Sequence, residues 1–384
     1  MWFGALRVLC VMTTTATSAF RIVCFAVLIG ALGCESGDSP GRDAGLGTDG
    51  AVEDAGGNVG GSGGGAVASG APLELATELT SNGVIAGNAT HIYFEARGNV
   101  SRVPVTGGPV QRVIEGSSGV SSIALDETAV FVLDNGGFVP TNGAIRRMAF
   151  AGIPGEPTTV IMNQANVDSL VAAGGDLVWI SSSLADTTIK SMPKTGTAPV
   201  AVAMLGNQAW FGGLASVGPD ILYGHRIAMG SGVSSAPRAG GGVPKVLLMG
   251  QSSQVLSFAA DSDGIYFSTG TGGTGNANDG KLWKAPLTGG AVTMLAGGIN
   301  EPGRLIADGA NIYFLDAGMY DGNYKQGSIK KVAKAGGAPK TVVASVDPFA
   351  SKNAYTIVGG SLFFLADATV PGMKSNVRLL MIQK

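Results

Sequence analysis

The chain writes one short phrase seven times. Its copies are HIYF at 91–94, AVFV at 129–132, LVWI at 177–180, ILY at 221–223, GIYF at 264–267, NIYF at 311–314 and SLFF at 361–364. The central aromatics stand at 93, 131, 179, 223, 266, 313 and 363, spaced by 38, 48, 44, 43, 47 and 50 residues. A unit of about 45 residues with aromatic punctuation is the length of one propeller blade, a small sheet that buries its faces only against its neighbours.

Each copy has the same inner grammar. A small apolar run, Leu305-Ile306-Ala307 or Phe258-Ala259-Ala260, precedes a tight turn, Asp308-Gly309-Ala310-Asn311 or Asp261-Ser262-Asp263-Gly264. The aromatic strand follows and enters a loop of variable length. A third strand alternates apolar with basic or polar residues, as in Val100-Ser101-Arg102-Val103, Ile145-Arg146-Arg147-Met148, Leu282-Trp283-Lys284-Ala285 and Ile329-Lys330-Lys331-Val332. A Gly-Gly turn then leads to a last strand, Thr341-Val342-Val343 in the sixth copy. Short runs between Gly, Asn and Asp turns make antiparallel meanders, and no sustained helical period follows residue 35. The expected fold is all-β: a seven-bladed β-propeller of four-stranded antiparallel blades over 71–384, with six blades as the alternative count.

The two ends of the array explain each other. The seventh copy stops at Gln383-Lys384, one strand short, while Gly70-Ala71-Pro72-Leu73-Glu74-Leu75 mirrors Gly337-Ala338-Pro339-Lys340-Thr341-Val342 in the sixth. The N-terminal strand is therefore expected to complete the last blade and leave no open sheet edge at the seam.

Tyr313-Phe314-Leu315-Asp316 and Phe131-Val132-Leu133-Asp134, each followed by a basic strand and a Gly-Gly turn, resemble the YWTD-type propeller repeats of lipoprotein-receptor ectodomains. They are closer to the degenerate versions in bacterial lipoproteins of myxobacterial type. The resemblance spans about residues 72–384. It departs from YWTD rings in the missing Trp, in an Asp present in only some copies, and in seven blades against six. It implies a binding ring and transfers no ligand.

The N-terminus adds an address. Arg7 and Arg21 precede an apolar run, IVCFAVLIGALG at 22–33, with no acidic residue before Glu35. Twelve residues are too few for a bilayer-spanning helix and suit a signal-peptide h-region. The run ends in Ala31-Leu32-Gly33-Cys34, which resembles the lipobox of bacterial lipoproteins and implies lipidation of Cys34 after cleavage at Gly33; Met12 is an alternative start. An ordinary secretory signal is the competing reading. Residues 1–33 are thus expected to be a signal peptide and 34–70 a lipidated cysteine with a tether. The tether has no aromatic residue and no apolar period, so it buries too little to offset ordering. As a Gly-rich coil it spans roughly 35 Å. The expected place is the cell envelope, lipid-anchored on a periplasmic or surface face.

Composition removes several classes. The three cysteines, Cys10, Cys24 and Cys34, all precede residue 35, and the only histidines are His91 and His225. A disulfide framework or thiolate zinc site in the array is excluded, and no cofactor is expected. From residue 73 onward the chain has 22 basic and 21 acidic residues, so it lacks the basic surface of a nucleic-acid binder. Asp261-Ser262-Asp263-Gly264 lacks the later ligands of a calcium loop, and GTGGTG at 270–275 lacks the Gly-Lys-Ser/Thr and helix of a phosphate loop.

In such blades the first and third turns share one face, and the second-to-third loops share the other. The latter vary most, from minimal after Phe94 to TGTGGTGNANDG at 269–280 and DAGMYDGNYKQG at 316–327. Variable loops on a rigid scaffold are where recognition concentrates. Phe138, Tyr320 and Tyr324 are the candidate contacts there, with local packing as the competing role. His225-Arg226 is a further polar candidate near that face, or else a solvent-exposed pair. Without a catalytic constellation, and with innermost strands that read apolar or small, the chain is expected not to be an enzyme. The expected function is a monomeric binding or scaffolding module for a protein, peptide or glycan of the envelope, tethered to the membrane. The alternative is a lactonase- or hydrolase-like enzyme, metal-assisted, using the central channel.

Overall fold

A computed structural model of the 384-residue chain describes residues 8–13, 21–26, 71–79, 83–117, 119–136, 142–183, 186–206, 213–227, 230–251, 254–270, 278–318, 327–346, 355–367 and 377–384. Two compact units divide the chain, Met1–Gly65 and Ala66–Lys384. In the first, Val8–Thr13 pairs antiparallel with Arg21–Ala26. No helix of the described residues is long and apolar enough to cross a membrane.

The second unit is a seven-bladed β-propeller. Its seven four-stranded antiparallel sheets follow the chain: blade 1 over 85–114, blade 2 over 120–164, blade 3 over 167–206, blade 4 over 214–251, blade 5 over 254–299, blade 6 over 303–346, and blade 7 over 355–383. The first strand of each blade is innermost and touches the first strand of the next; Tyr355–Val358 of blade 7 returns to Ile85–Gly87 of blade 1. Leu73–Leu79 supplies the outer strand of blade 7, with Leu73 opposite Met381, Glu74 opposite Leu380, Ala76 opposite Leu379 and Leu79 opposite Val377. The ring is closed by the strand that precedes blade 1, as the sequence predicts.

The core is distributed between blades rather than gathered at a centre. Seven apolar clusters each join two neighbouring sheets. In the second strand of blade 6, Tyr313 packs toward blade 7 and Phe314 toward blade 5. That strand is buried on both faces, which is why it reads as a continuous apolar run instead of an alternation. Here the structure corrects the repeat alignment. Counting from each third-strand partner, Val178 and Leu222, not Trp179 and Tyr223, occupy the position of Tyr313. Trp179 and Tyr223 sit one residue later and face the preceding blade, in the place of Phe314. A slip of one residue reverses the face of a strand, so in blades 3 and 4 the aromatic serves the opposite interface.

Close approach fixes the turns as well. Gly289 has φ of +79°, and a Cβ there would lie 2.4 Å from the Leu247 carbonyl oxygen of blade 4. Only glycine fits a left-handed turn pressed against another backbone.

Candidate functional site

The variable loops leave the sheets from stems of one kind. At the end of the second strand, Asp134 in blade 2 and Asp316 in blade 6 are each 2% exposed. Their Oδ1 atoms accept N–H bonds from Gly136 (3.1 Å) and Gly318 (3.0 Å), two residues into the loop. Their Oδ2 atoms meet a base of the third strand, Arg146 at 3.3 Å and Lys330 at 2.5 Å. This is the physical content of the FVLD and YFLD phrases and their basic third strands. A buried carboxylate is tolerated because it is both paired and hydrogen-bonded, and it clamps the loop root in doing so.

Blades 4 and 5 use neutral groups in the same place. Trp283 Nε1–H donates to Thr269 Oγ1 at 2.9 Å. His225 takes the aspartate position, with Ser234 Oγ 3.4 Å from its Nδ1 and the Tyr223 ring 6.2 Å away. Burial pushes the His225 imidazole below its ordinary value. His225 is only 5% exposed, so the expectation of a solvent-exposed histidine is corrected. The strand Asp220–Ile227 runs on past Tyr223 and carries it inside. Arg226 pairs through its backbone with Ser231; its side chain, with Phe138, Tyr320, Tyr324 and Cys34, lies outside the described residues. Blade 1 has instead a tight turn at Arg97-Gly98, closed by the Gly98 N–H on Glu95 Oε1 (2.9 Å).

The innermost strands differ from the expectation that they are apolar or small. Val167–Ala173 carries Asp168, and Gly303–Asp308 carries Arg304, its guanidinium 5.8 Å from the centre of the Tyr355 ring of blade 7. Tyr355 donates its hydroxyl to the Arg304 carbonyl, and burial pushes its pKa up. Both charges stand at a register shift of their strand, where alternation gives no phase. Among the described residues no group of three His, Cys, Asp or Glu side chains converges as metal ligands.

The short-turn face carries an interblade belt that the sequence reading missed. Asp126 of blade 2 meets Lys194 of blade 3 (2.8 Å), Asp176 of blade 3 meets Arg238 of blade 4 (2.9 Å), and Asp261 and Asp263 of blade 5 meet Lys334 of blade 6 (2.5 and 3.0 Å). Asp308 of blade 6 meets Lys384 of blade 7. Each base stands directly after the third strand. At the other three interfaces the position equivalent in register holds Val105, Phe150 or Leu287. Burial pushes the Asp126 carboxyl up, but hydrogen bonds from Lys194, Thr128 and the Ala129 N–H outweigh it and hold the pKa at about 2. The signal was present in the aligned turns, where a base recurs two residues before glycine.

No protein-family model matches the chain, and no curated protein matches it. Solved structures do. YCF48 bound to D1 peptide superposes with a TM-score of 0.54 at 10% identity, covering 82% of this chain and 95% of that one. The tricorn protease gives 0.53 at 12% identity, covering 77% of this chain and 33% of the other. A prolyl endopeptidase gives 0.53 at 12%, covering 80% and 47%. At such identities the likeness is one of fold. It still corrects the expectation that the chain is not an enzyme, because part of a protease and part of a prolyl endopeptidase superpose on this fold. This chain spans a third to a half of their length.

Proposed function

We propose that the chain is a recognition module, held at a membrane by lipid on Cys34 and a tether over 34–70, whose YWTD-like propeller binds a protein, peptide or glycan through its second-to-third-strand loops. The observation that carries this reading is the set of stems. Asp134, Thr269 and Asp316 fix the roots of three of the long loops, His225 holds the same place above the short turn of blade 4, and a preorganised root lowers the entropic cost of binding. A peptide ligand is further supported by YCF48, whose solved complex holds a D1 peptide on a propeller of nearly the same extent. The test is affinity capture from envelope extract by the whole chain, beside a Phe138→Ala/Tyr320→Ala/Tyr324→Ala version. A partner kept by the first and lost by the second supports loop-face recognition. A partner held equally by both contradicts it.

A second reading, hydrolysis in the channel, is favoured by Asp168 and Arg304 on the innermost strands. Its test is turnover of ester and peptide substrates by the chain and by Asp168→Asn. Turnover that survives the substitution unchanged would remove it.

A further inference from the structure

On the short-turn face, the cleft between blades 2 and 3 opens into a groove of about 740 Å³. The same cleft is built three times in the ring from an acid, a buried ring, a third-strand base and the next blade's base. The sets are Asp126, Phe131, Arg147 and Lys194; Asp261, Tyr266, Lys284 and Lys334; and Asp308, Tyr313, Lys331 and Lys384. In the second and third sets the third-strand base is a lysine lying over the ring, 5.6 Å from Tyr266 and 5.9 Å from Tyr313. Only the first has an arginine.

Blade 1 also has an arginine at that position, and it supplies an acceptor. Arg102 donates from Nε and Nη2 to Gln111 Oε1 at 3.0 and 2.8 Å. In register, Gln111 stands opposite Arg102 and Thr158 stands opposite Arg147. Thr158 donates its hydroxyl to the Arg147 carbonyl (3.4 Å), so the half-buried Arg147 guanidinium has no acceptor among the described residues. Lys194 is already engaged by Asp126. Two bases against one acid leave the groove with one uncompensated positive charge, on a planar fork whose geometry matches a carboxylate or phosphate.

The remaining wall departs from that of blades 5 and 6 too, while blade 6 keeps a threonine, Thr341, at the Thr159 position. Thr159, Thr195 and Thr197 line the groove, where the cleft of blades 5 and 6 has Met294, Ala335 and Gly337. The scaffold is the same, so a hydroxyl-lined wall beside an unpartnered arginine is particular to this interface. We propose that this groove binds a small hydroxylated oxyanion, a sugar acid or a sugar phosphate, with its anionic group on Arg147 and its hydroxyls on Thr159, Thr195 and Thr197. The site lies on the face opposite the variable loops, and its existence does not depend on their function.

The test is calorimetric titration of the whole chain with glucuronate, glucose 6-phosphate, glucose and inorganic phosphate. Wild type is expected to bind at least one sugar anion saturably, with glucose and inorganic phosphate each weaker. Arg147→Gln is expected to weaken that sugar anion about tenfold or more, the scale of one charge-assisted bond. Thr195→Val/Thr197→Val is expected to weaken the sugar anion while leaving phosphate unchanged, and it serves should Arg147→Gln fail to fold. No saturation by either sugar anion below about 10 mM would overturn the proposal, as would equal affinity in the folded variants. Phosphate binding as tightly as the sugar anions would mark an adventitious ion only.

Discussion

His225 is the residue at which the surface reading and the folded chain part most sharply. The unfolded chain protonates it near its ordinary value of 6.5, while burial lowers the folded value. A group whose folded pKa is depressed gives its full stability above the unfolded pKa and loses it as pH falls below. His91 shifts the same way, through partial burial and the nearby Arg102. The midpoint of urea unfolding is therefore expected to fall between about pH 7.5 and pH 5.5, and His225→Asn is expected to remove most of that fall. Full pH dependence in the variant would contradict the buried, neutral imidazole. The sequence offered no warning of this burial. A His-Arg pair after Tyr223-Gly224 looks like the end of a strand, and only the continued pairing of Ile227 with Gly230 shows that it is not.

At the scale of the element, the strand pattern was legible and its phase was not. Tight turns recur through the copies, with Gly-Gly turns and basic third strands in several, so four strands per blade could be read directly. The second strands LVWI and ILYG put apolar residues on both faces, because both faces are buried, and nothing in them fixes which neighbour the aromatic meets. The belt of acid–base pairs belongs to this scale as well. Lys334 is 12% exposed between Asp261 and Asp263, so Lys334→Ala is expected to cost about 1 kcal/mol, read by urea unfolding, since partly exposed pairs contribute modestly. Leu287, in the same position of blade 5, has no such pair, and Leu287→Ala should show no dependence on salt while Lys334→Ala abolishes some. Gly289→Ala should cost more than either, about 2 kcal/mol or above, because a strained φ and a backbone clash act together. An alanine variant as stable as wild type would refute that close approach.

For the whole molecule, the repeat period and the matching ends gave the ring, its blade number and its closure, since each is written in sequence as a count. What the ring binds is not written that way. The loops that vary are where the repeat stops constraining the chain, and the proposed recognition would rest on whichever side chains they hold. Membrane attachment is testable apart from the fold: metabolic labelling with a fatty acid should mark the wild-type chain and leave Cys34→Ala unlabelled and released from the membrane fraction. Equal labelling would move the anchor elsewhere.

The loop face, the belt and the groove all presuppose a ring held shut by its own first strand. Leu75, Ala76 and Leu79 of that strand are buried in the cluster that joins blade 7 to blade 1, so its removal exposes two blades at once. The most direct measurement is the thermal midpoint of two deletions, residues 71–79 and residues 35–68, against the intact chain. Loss of the strand is expected to lower the midpoint by ten degrees or more, about the shift of several kcal/mol in a chain of this size, while loss of 35–68 leaves it within a degree or two. Equal effects from the two deletions would contradict the closed ring.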